Sequence, residues 1–391
     1  MLPQSITHPN DDEAVVRMGT RIYGAPGVAG WVVEWAPWRW TMNALLLTEY
    51  GRLKMENVPA PVAGPGEVLI QVAACGICGS DVHGYDGSSG RRIPPIVMGH
   101  EAAGVVAGVG AGVQGFAPGD RVTFDSTVWC GRCEYCARGE VNLCDYRQVV
   151  GVSCGEYRRA GAFAEYVTVP EHIVYRLPDG LSFAEAAMLE AVAVALHAVK
   201  LSEVRGGETA LVVGAGMIGL LVLQAARAAG CKRVLVADVD ATRLERAAAL
   251  GADETLERSG AELVGEAMRL TGGRGVDLVL EAVGRDQTVT AAIECARKGG
   301  TVTLVCNIAP AVSLPLQRVV TRQIRLQGSC SSAGEYPEAM EMVASGRIEV
   351  GALITAVAPL SQGAAWFERL YAHEPNLMKV ILDPRIPGQR A

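Results

Sequence analysis

"LVVGAGMIGLL" (residues 211–221) decides the fold. An apolar run reaches Gly214, Gly216 and Gly219, in G-x-G-x-x-G spacing, and a second apolar run free of Gly and Pro follows. Alone the pattern is weak; straight after a strand and opening a helix it has a mechanism. The first glycine permits a tight turn and the second lets backbone approach a pyrophosphate. The third allows close helix packing, while the helix N-terminus offers free N–H groups to the anion. The next strand-like run, "KRVLVADVD", carries Asp238 near its end. A carboxylate there can accept both adenosine ribose hydroxyls and repels a 2′-phosphate, which predicts NAD over NADP. Arg243, five residues on, is a group that could accommodate the 2′-phosphate instead.

Around this turn the texture is strand, glycine, helix: "ETALVVGAGMIGLLVLQAARAAG", "KRVLVADVDATRLERAAALGA", "VDLVLEAVG", "ARKGGTVTLVCNI". Strands alternating with helical stretches predict a parallel, doubly wound α/β sheet. Upstream, from Met42 to about Gly180, short Val- and Ile-rich runs alternate with Gly and Pro, which describes a mostly β domain. "MNALLLTEYGRLKMENVP" reads as strand, turn and strand. "LSFAEAAMLEAVAVALHAVK" has Ser182 as N-cap, Glu185 three residues on and no Gly or Pro, so it predicts one long helix with a capping box. Beyond about Gly328 the pattern is mixed, with "EYPEAMEMVASGRI" helical and "KVILDP" a closing strand. The expected organisation is a β-rich domain over 42–190, a dinucleotide-binding domain over 191–328, and a return to the first domain over 329–391.

Residues 1–41 stand apart as a non-core extension. They hold four of the six Trp (Trp31, Trp35, Trp38, Trp40), an acidic "NDDEA" and no sustained period. Two readings compete: Met42 is the natural first residue, or the extension is real. Neither is a secretory signal, which needs a basic end and an apolar stretch. With 391 residues, half of them hydrophobic and a fifth charged, the chain can build two sizeable cores. The net charge of −7 argues against a nucleic-acid partner, which draws on clustered Lys and Arg. No run of eighteen uncharged apolar residues marks a membrane span. Eleven cysteines in a chain of this size point to metal binding in a reducing, cytoplasmic compartment rather than to disulfides.

Six of those cysteines fall in two clusters. "WCGRCEYCARGEVNLC" holds Cys130, Cys133, Cys136 and Cys144 in C-x2-C-x2-C-x7-C spacing. Four thiolates complete a tetrahedron and leave no position for substrate, so this zinc is structural. Free thiols or a zinc ribbon for nucleic acid are the blander readings, the latter opposed by the acidic balance. The chemistry then falls to "CGICGSDVH" and "GHEAAG". Cys78, His100 and Glu101 give a mixed S, N, O set of the kind that leaves zinc a labile position. Ser80, Asp81 and His83 crowd the same turn, although spacing alone does not choose Cys78 over Cys75.

Together, "CGICGSDVH", "GHE", the four-cysteine lobe, "GAGMIG" and "LEAVAVALHA" resemble the zinc-dependent medium-chain dehydrogenase/reductases from about Met42 to Pro384. Within them the chain is most similar to the polyol (sorbitol, L-iditol, galactitol-1-phosphate) dehydrogenases. The resemblance implies a GroES-like β-rich catalytic domain interrupted by a Rossmann NAD-binding domain, two zinc ions per chain, and a homodimer or homotetramer acting on a small-molecule polyol. It implies Cys78 as catalytic ligand beside His100 and Glu101, Ser80 and His83 as the proton relay, and Asp81 as the carboxylate that orients a ligand. Glu190 takes the place of a Cys ligand of the alcohol-dehydrogenase branch and is expected to face the metal, directly or through water; His197 shares its face. The implied reaction converts a secondary hydroxyl to a ketone by hydride transfer to NAD. Animal sorbitol dehydrogenases carry Arg where Ser331 stands, which puts sorbitol itself in doubt, while Arg91 and Arg92 could meet a phosphate. The alternatives are an L-threonine or 2,3-butanediol dehydrogenase and a non-enzymatic NAD-binding member; a zinc-free quinone reductase should lack the Cys78, His100, Glu101 set.

Overall fold

The computed structural model describes residues 40–154 and 157–388. The expectations for residues 1–39 lie outside the described residues.

The glycine turn builds its sheet as its chemistry requires. Six parallel strands lie in the order Glu254–Glu257, Arg233–Asp238, Thr209–Val213, Val276–Glu281, Ala296–Leu304 and Arg325–Gly328. Counted along the chain this is 3-2-1-4-5-6, with the direction of winding reversing between strands Thr209–Val213 and Val276–Glu281. Dinucleotides bind at such a reversal, beyond the carboxyl ends of the strands. The three central strands, Arg233–Asp238, Thr209–Val213 and Val276–Glu281, are apolar on both sides because helices cover both faces. One core packs helices Leu189–Leu201 and Met217–Ala228 against the sheet, and a second core fills the opposite face around Val279, Ile293 and Val302.

The β-rich half is held by a seven-stranded sheet running Val174–Arg176, Arg121–Phe124, Glu101–Val109, Glu67–Gly76, Lys379–Asp383 and Ile354–Pro359, with Tyr166–Pro170 also paired to Glu67–Gly76. The last two of the six come from the C-terminal tail, so "KVILDP" is a central strand rather than an appendage. Register places Gly76 opposite Glu101 on one side and Ile381 on the other. A Cβ on Gly76 would stand 2.5 Å from Glu101 Oε2, so glycine is what lets that carboxylate lie across the strand. The strand, turn and strand expected from Met42 form an antiparallel hairpin, Thr41–Glu49 with Arg52–Pro59, turning at Gly51 with φ +74°.

One expected element differs. The capping box is present, with Glu185 N–H donating to Ser182 Oγ and Ser182 N–H to Glu185 Oε2, but the long helix is two. Phe183–Ala186 ends where Met188 N–H bonds the carbonyl of Glu185, three residues back, and Leu189–Leu201 follows. That tightened turn sits immediately before Glu190 and resets the face on which it emerges. Among the described residues no helix is long and apolar enough to cross a membrane.

Candidate metal centres and dinucleotide site

The four-cysteine lobe is built on backbone. Cys133 precedes the one-turn helix Glu134–Ala137, and Cys144 ends the 3-10 turn Val141–Leu143. The four Sγ atoms lie within 4.8 Å of one another. A tetrahedral zinc with Zn–S near 2.3 Å needs sulfurs roughly 3.8 Å apart, so the donor set fits. Arg132 N–H donates to Cys130 Sγ (3.4 Å) and Cys130 N–H to Cys144 Sγ (3.3 Å). Such bonds favour thiolate: backbone N–H groups, that of Cys136 first, hold Cys133 down at about 6, whereas burial pushes Cys144 up to about 12. The lobe is anchored at Asn142, whose Nδ2 donates to Cys330 O (2.7 Å) and lies 3.4 Å from His197 Nε2. His197 Nδ1 meets Glu335 at 3.0 Å. His197 is therefore engaged with the lobe and the tail, not with the second cysteine site.

That second site gathers Cys78, His100 and Glu101, whose ligand atoms again lie within 4.8 Å of one another. Cys78 caps the helix Gly79–Tyr85, and Ser80 donates to its sulfur from both N–H (3.4 Å) and Oγ (3.3 Å). His83 lies one turn beyond Ser80 on the same helix, at a spacing that puts both on one side. His100 and Glu101 open the strand beside Glu67–Gly76. Cys75 is fully buried and its thiol is pushed well up by burial, then by Asp81 and Glu101; it is not among the three converging donors.

Buried charge surrounds these donors. Asp81, with no exposed surface, accepts from Arg92 Nη2 (2.9 Å) and Nε (3.2 Å) and from Cys78 N–H (3.3 Å), and its Oδ1 is 3.4 Å from His100 Nδ1. Burial alone would raise its pKa; His100 and Arg92 outweigh that and hold the carboxyl well below the usual range. His100 Nδ1, buried and without a hydrogen bond, lies on the Asp81 side of the ring, and the opposite ring nitrogen is left for a metal. Glu101 Oε2 pairs with the buried Lys379 ammonium, which also donates to Ile77 O (3.3 Å). Glu101 Oε1 is buried without a hydrogen-bond partner. A buried carboxylate oxygen with no donor is costly, and beside a thiol and an imidazole it suits a cation. Glu190, partly buried in the first turn of Leu189–Leu201, is pushed up to about 7, by burial first, against the attraction of His100 and Lys379. It is close enough to His100, Glu101 and Lys379 to feel their charges but lies outside the group of three that converge within 4.8 Å.

At the dinucleotide turn the three glycines do three things. Gly214 has φ +99°; a Cβ on Gly216 would meet open space, and one on Gly219 would stand 1.8 Å from Gly214 O. Open space at Gly216 is where a pyrophosphate needs close backbone. Asp238 Oδ2 accepts from Ala215 N–H (2.6 Å), and Oδ1 from Val239 (2.7 Å) and Asp240 N–H (3.0 Å). Three of roughly four acceptor directions are thus used by backbone, so the carboxylate ties down the glycine turn and keeps room for one further donor rather than for the two ribose hydroxyls expected from the sequence. Arg243 Nη1 stands 3.9 Å from Asp238 Oδ2.

Three of these groups escaped the sequence. Lys379 opens an apolar strand whose other charge is Asp383; Arg92, read from the sequence as a group that could meet a phosphate, is 3% exposed and spent on Asp81. Asp125, pushed up to about 6 by burial, gave no signal at all.

The chain is similar to known proteins over most of its length. The alcohol dehydrogenase GroES-like domain model matches residues 64–179, and the zinc-binding dehydrogenase model residues 218–345. The sorbitol dehydrogenase of Bacillus subtilis (strain 168) is 33% identical over 348 residues, spanning 88% of this chain and 97% of its own. The structure of galactitol-1-phosphate dehydrogenase from Escherichia coli matches at TM-score 0.80 and 27% identity, covering 88% of this chain and 100% of that one. An E. coli CFT073 protein described as a short chain alcohol dehydrogenase, complexed with NADH, matches at TM-score 0.81 and 29% identity, covering 88% and 99%.

If the four-cysteine lobe is a metal clip, Cys144→Ser lowers zinc content by up to one per chain and reduces stability by on the order of 3 kcal/mol. Metal analysis and thermal unfolding check this; unchanged zinc and stability would contradict it.

Proposed function

The chain belongs to the zinc-binding, GroES-like alcohol dehydrogenases, and from that premise we propose that it oxidises a secondary hydroxyl of a free polyol to a ketone while reducing NAD. The convergence of Cys78, His100 and Glu101 beside Ser80, apart from an all-thiolate lobe, carries this reading. Cys78, His100 and Glu101 would hold the catalytic zinc, and the four lobe cysteines the structural one. Bound zinc supplies a Lewis acid and bound nicotinamide a hydride acceptor. The protein's own groups do the rest. Ser80 stands where a hydroxyl bound at the three donors would release its proton, and His83, one turn on and half-buried, carries it toward solvent. Asp81 orients His100, and Lys379 fixes one oxygen of Glu101 while leaving the other free. Glu190, with a carboxyl that titrates near neutrality, accepts or donates to a substrate hydroxyl at the pocket wall. Asp238 favours NAD, since a 2′-phosphate would meet a carboxylate already bound to the turn.

The names of its relatives point to sugar alcohols, free and phosphorylated. The free form is favoured by Arg92, which is buried and committed to Asp81 and so withdraws one of the two arginines a phosphate could have used. A cytoplasmic location follows from two thiol metal sites, which need reducing conditions. A homo-oligomer is supported by strand Arg325–Gly328, paired on one side only, and by exposed Ile308, Leu314, Leu316 and Val320 nearby in the chain.

Two measurements test these statements. Zinc-replete enzyme, offered xylitol, sorbitol, galactitol, galactitol 1-phosphate, threonine and 2,3-butanediol with NAD or NADP, is expected to turn over a free polyol fastest and with NAD; turnover confined to threonine or the butanediol would replace the polyol reading. By light scattering the native chain should run as a dimer or larger and Leu316→Glu/Val320→Glu as a monomer, whereas a monomeric native chain would exclude assembly through this edge.

A further inference from the structure

Arg92 is built into the site in a way its loop position does not suggest. It follows the Gly/Ser stretch "GSSGR" and is 3% exposed. Its stem crosses the helix Gly79–Tyr85 at Gly84, where a Cβ would stand 2.1 Å from Arg92 Cγ. That crossing delivers the guanidinium to two targets at once. Nε and Nη2 bond Asp81 Oδ1 at 3.2 and 2.9 Å, and Nη2 also donates to Ser80 Oγ at 3.2 Å.

A serine hydroxyl has one proton and two lone pairs. The guanidinium has no acceptor, so its bond to Ser80 Oγ occupies a lone pair and turns the hydroxyl proton away from Arg92. In the structure that proton is directed to Cys78 Sγ, 3.3 Å away. One lone pair is left facing the open side of the helix, where Ser80 is exposed. We propose that Arg92 is a positioning residue for proton transfer: by donating to Ser80 Oγ it keeps the hydroxyl proton off its own side and leaves a single lone pair, on the open side of the helix, to receive the substrate's proton. When Ser80 accepts the substrate hydroxyl's proton on its free lone pair, its own O–H turns from Cys78 Sγ and passes its proton on toward His83, one turn along the helix, so the sulfur takes up none and Arg92 neither gains nor loses one. The inference rests on the reading of Ser80 as the proton-passing hydroxyl.

Arg92→Lys keeps the charge beside Asp81, but an ammonium lacks the planar fork that spans Asp81 and Ser80 together. The experiment measures kcat, KM, the solvent deuterium isotope effect on kcat and zinc per chain for native enzyme, R92K, S80A and the double variant. R92K is expected to keep both zincs and a near-native KM, to lose about tenfold in kcat, and to show a larger isotope effect; in the S80A background it should cost nothing further. Equal losses in both backgrounds, an unchanged kcat and isotope effect, or loss of zinc from R92K would each overturn the proposal. If S80A alone keeps native kcat, the reading of Ser80 fails instead. Gly84→Ala, which displaces the Arg92 stem from the helix side, serves as the second variant if R92K does not fold, with the same expected results.

Discussion

Everything in the β-rich half answers to one constraint: four charged side chains, Asp81, Arg92, Glu101 and Lys379, are packed out of water around a thiol and an imidazole. Buried ion pairs contribute little net stability when intact, but removing one partner costs about 3–5 kcal/mol because the other charge is stranded. The pairs therefore act as locks. Asp81 comes from the helix after strand Glu67–Gly76, Arg92 from the following loop, Glu101 from the neighbouring strand and Lys379 from the tail. No three of these segments can satisfy the charges without the fourth, which gives a physical reason for the chain to leave the β-rich half, build the parallel sheet and return. The two pairs are neutral together. What they leave over is the Cys78 sulfur, the unpartnered Glu101 Oε1 and the nearby Glu190, lone-pair donors of the kind that suit a divalent cation.

The separation of the two cysteine sites divides their work. The lobe around Cys130–Cys144 has little core of its own and is tied to the rest through Asn142, Cys330, His197 and Glu335. That tie reaches the segment containing Ser331, a non-glycine residue at φ +55° whose hydroxyl lies 3.4 Å from Thr127 Oγ1.

Legibility in the sequence followed distance along the chain. The glycine turn, Asp238, the lobe cysteines and the Ser182 capping box are all written in windows of about thirty residues or fewer, where spacing alone carries the geometry; the structure forms the turn and the capping box, brings the four sulfurs within 4.8 Å of one another, and binds Asp238 to the backbone of the turn. Cys78, His100 and Glu101 could be proposed as a set, but choosing Cys78 over Cys75 needed a family resemblance; in the structure Cys75 faces the core and Cys78 caps the helix. Lys379 and Glu101 are 278 positions apart, and no local pattern links them. Arg92 was hidden differently: eleven residues from Asp81, in a loop whose composition signals solvent, its burial depends on Gly84 yielding space on another element. The break before Glu190 was missed because Ala187 and Met188 are good helix formers, and tertiary packing overrode their propensity.

The account stands or falls on whether chemistry belongs to the mixed site and architecture to the all-thiolate one. The most direct measurement is zinc per chain, NADH formation with the best polyol, and thermal stability in Cys78→Ser. The account predicts loss of about one zinc, loss of turnover and near-native unfolding temperature; a variant that keeps both zincs and full turnover would contradict it.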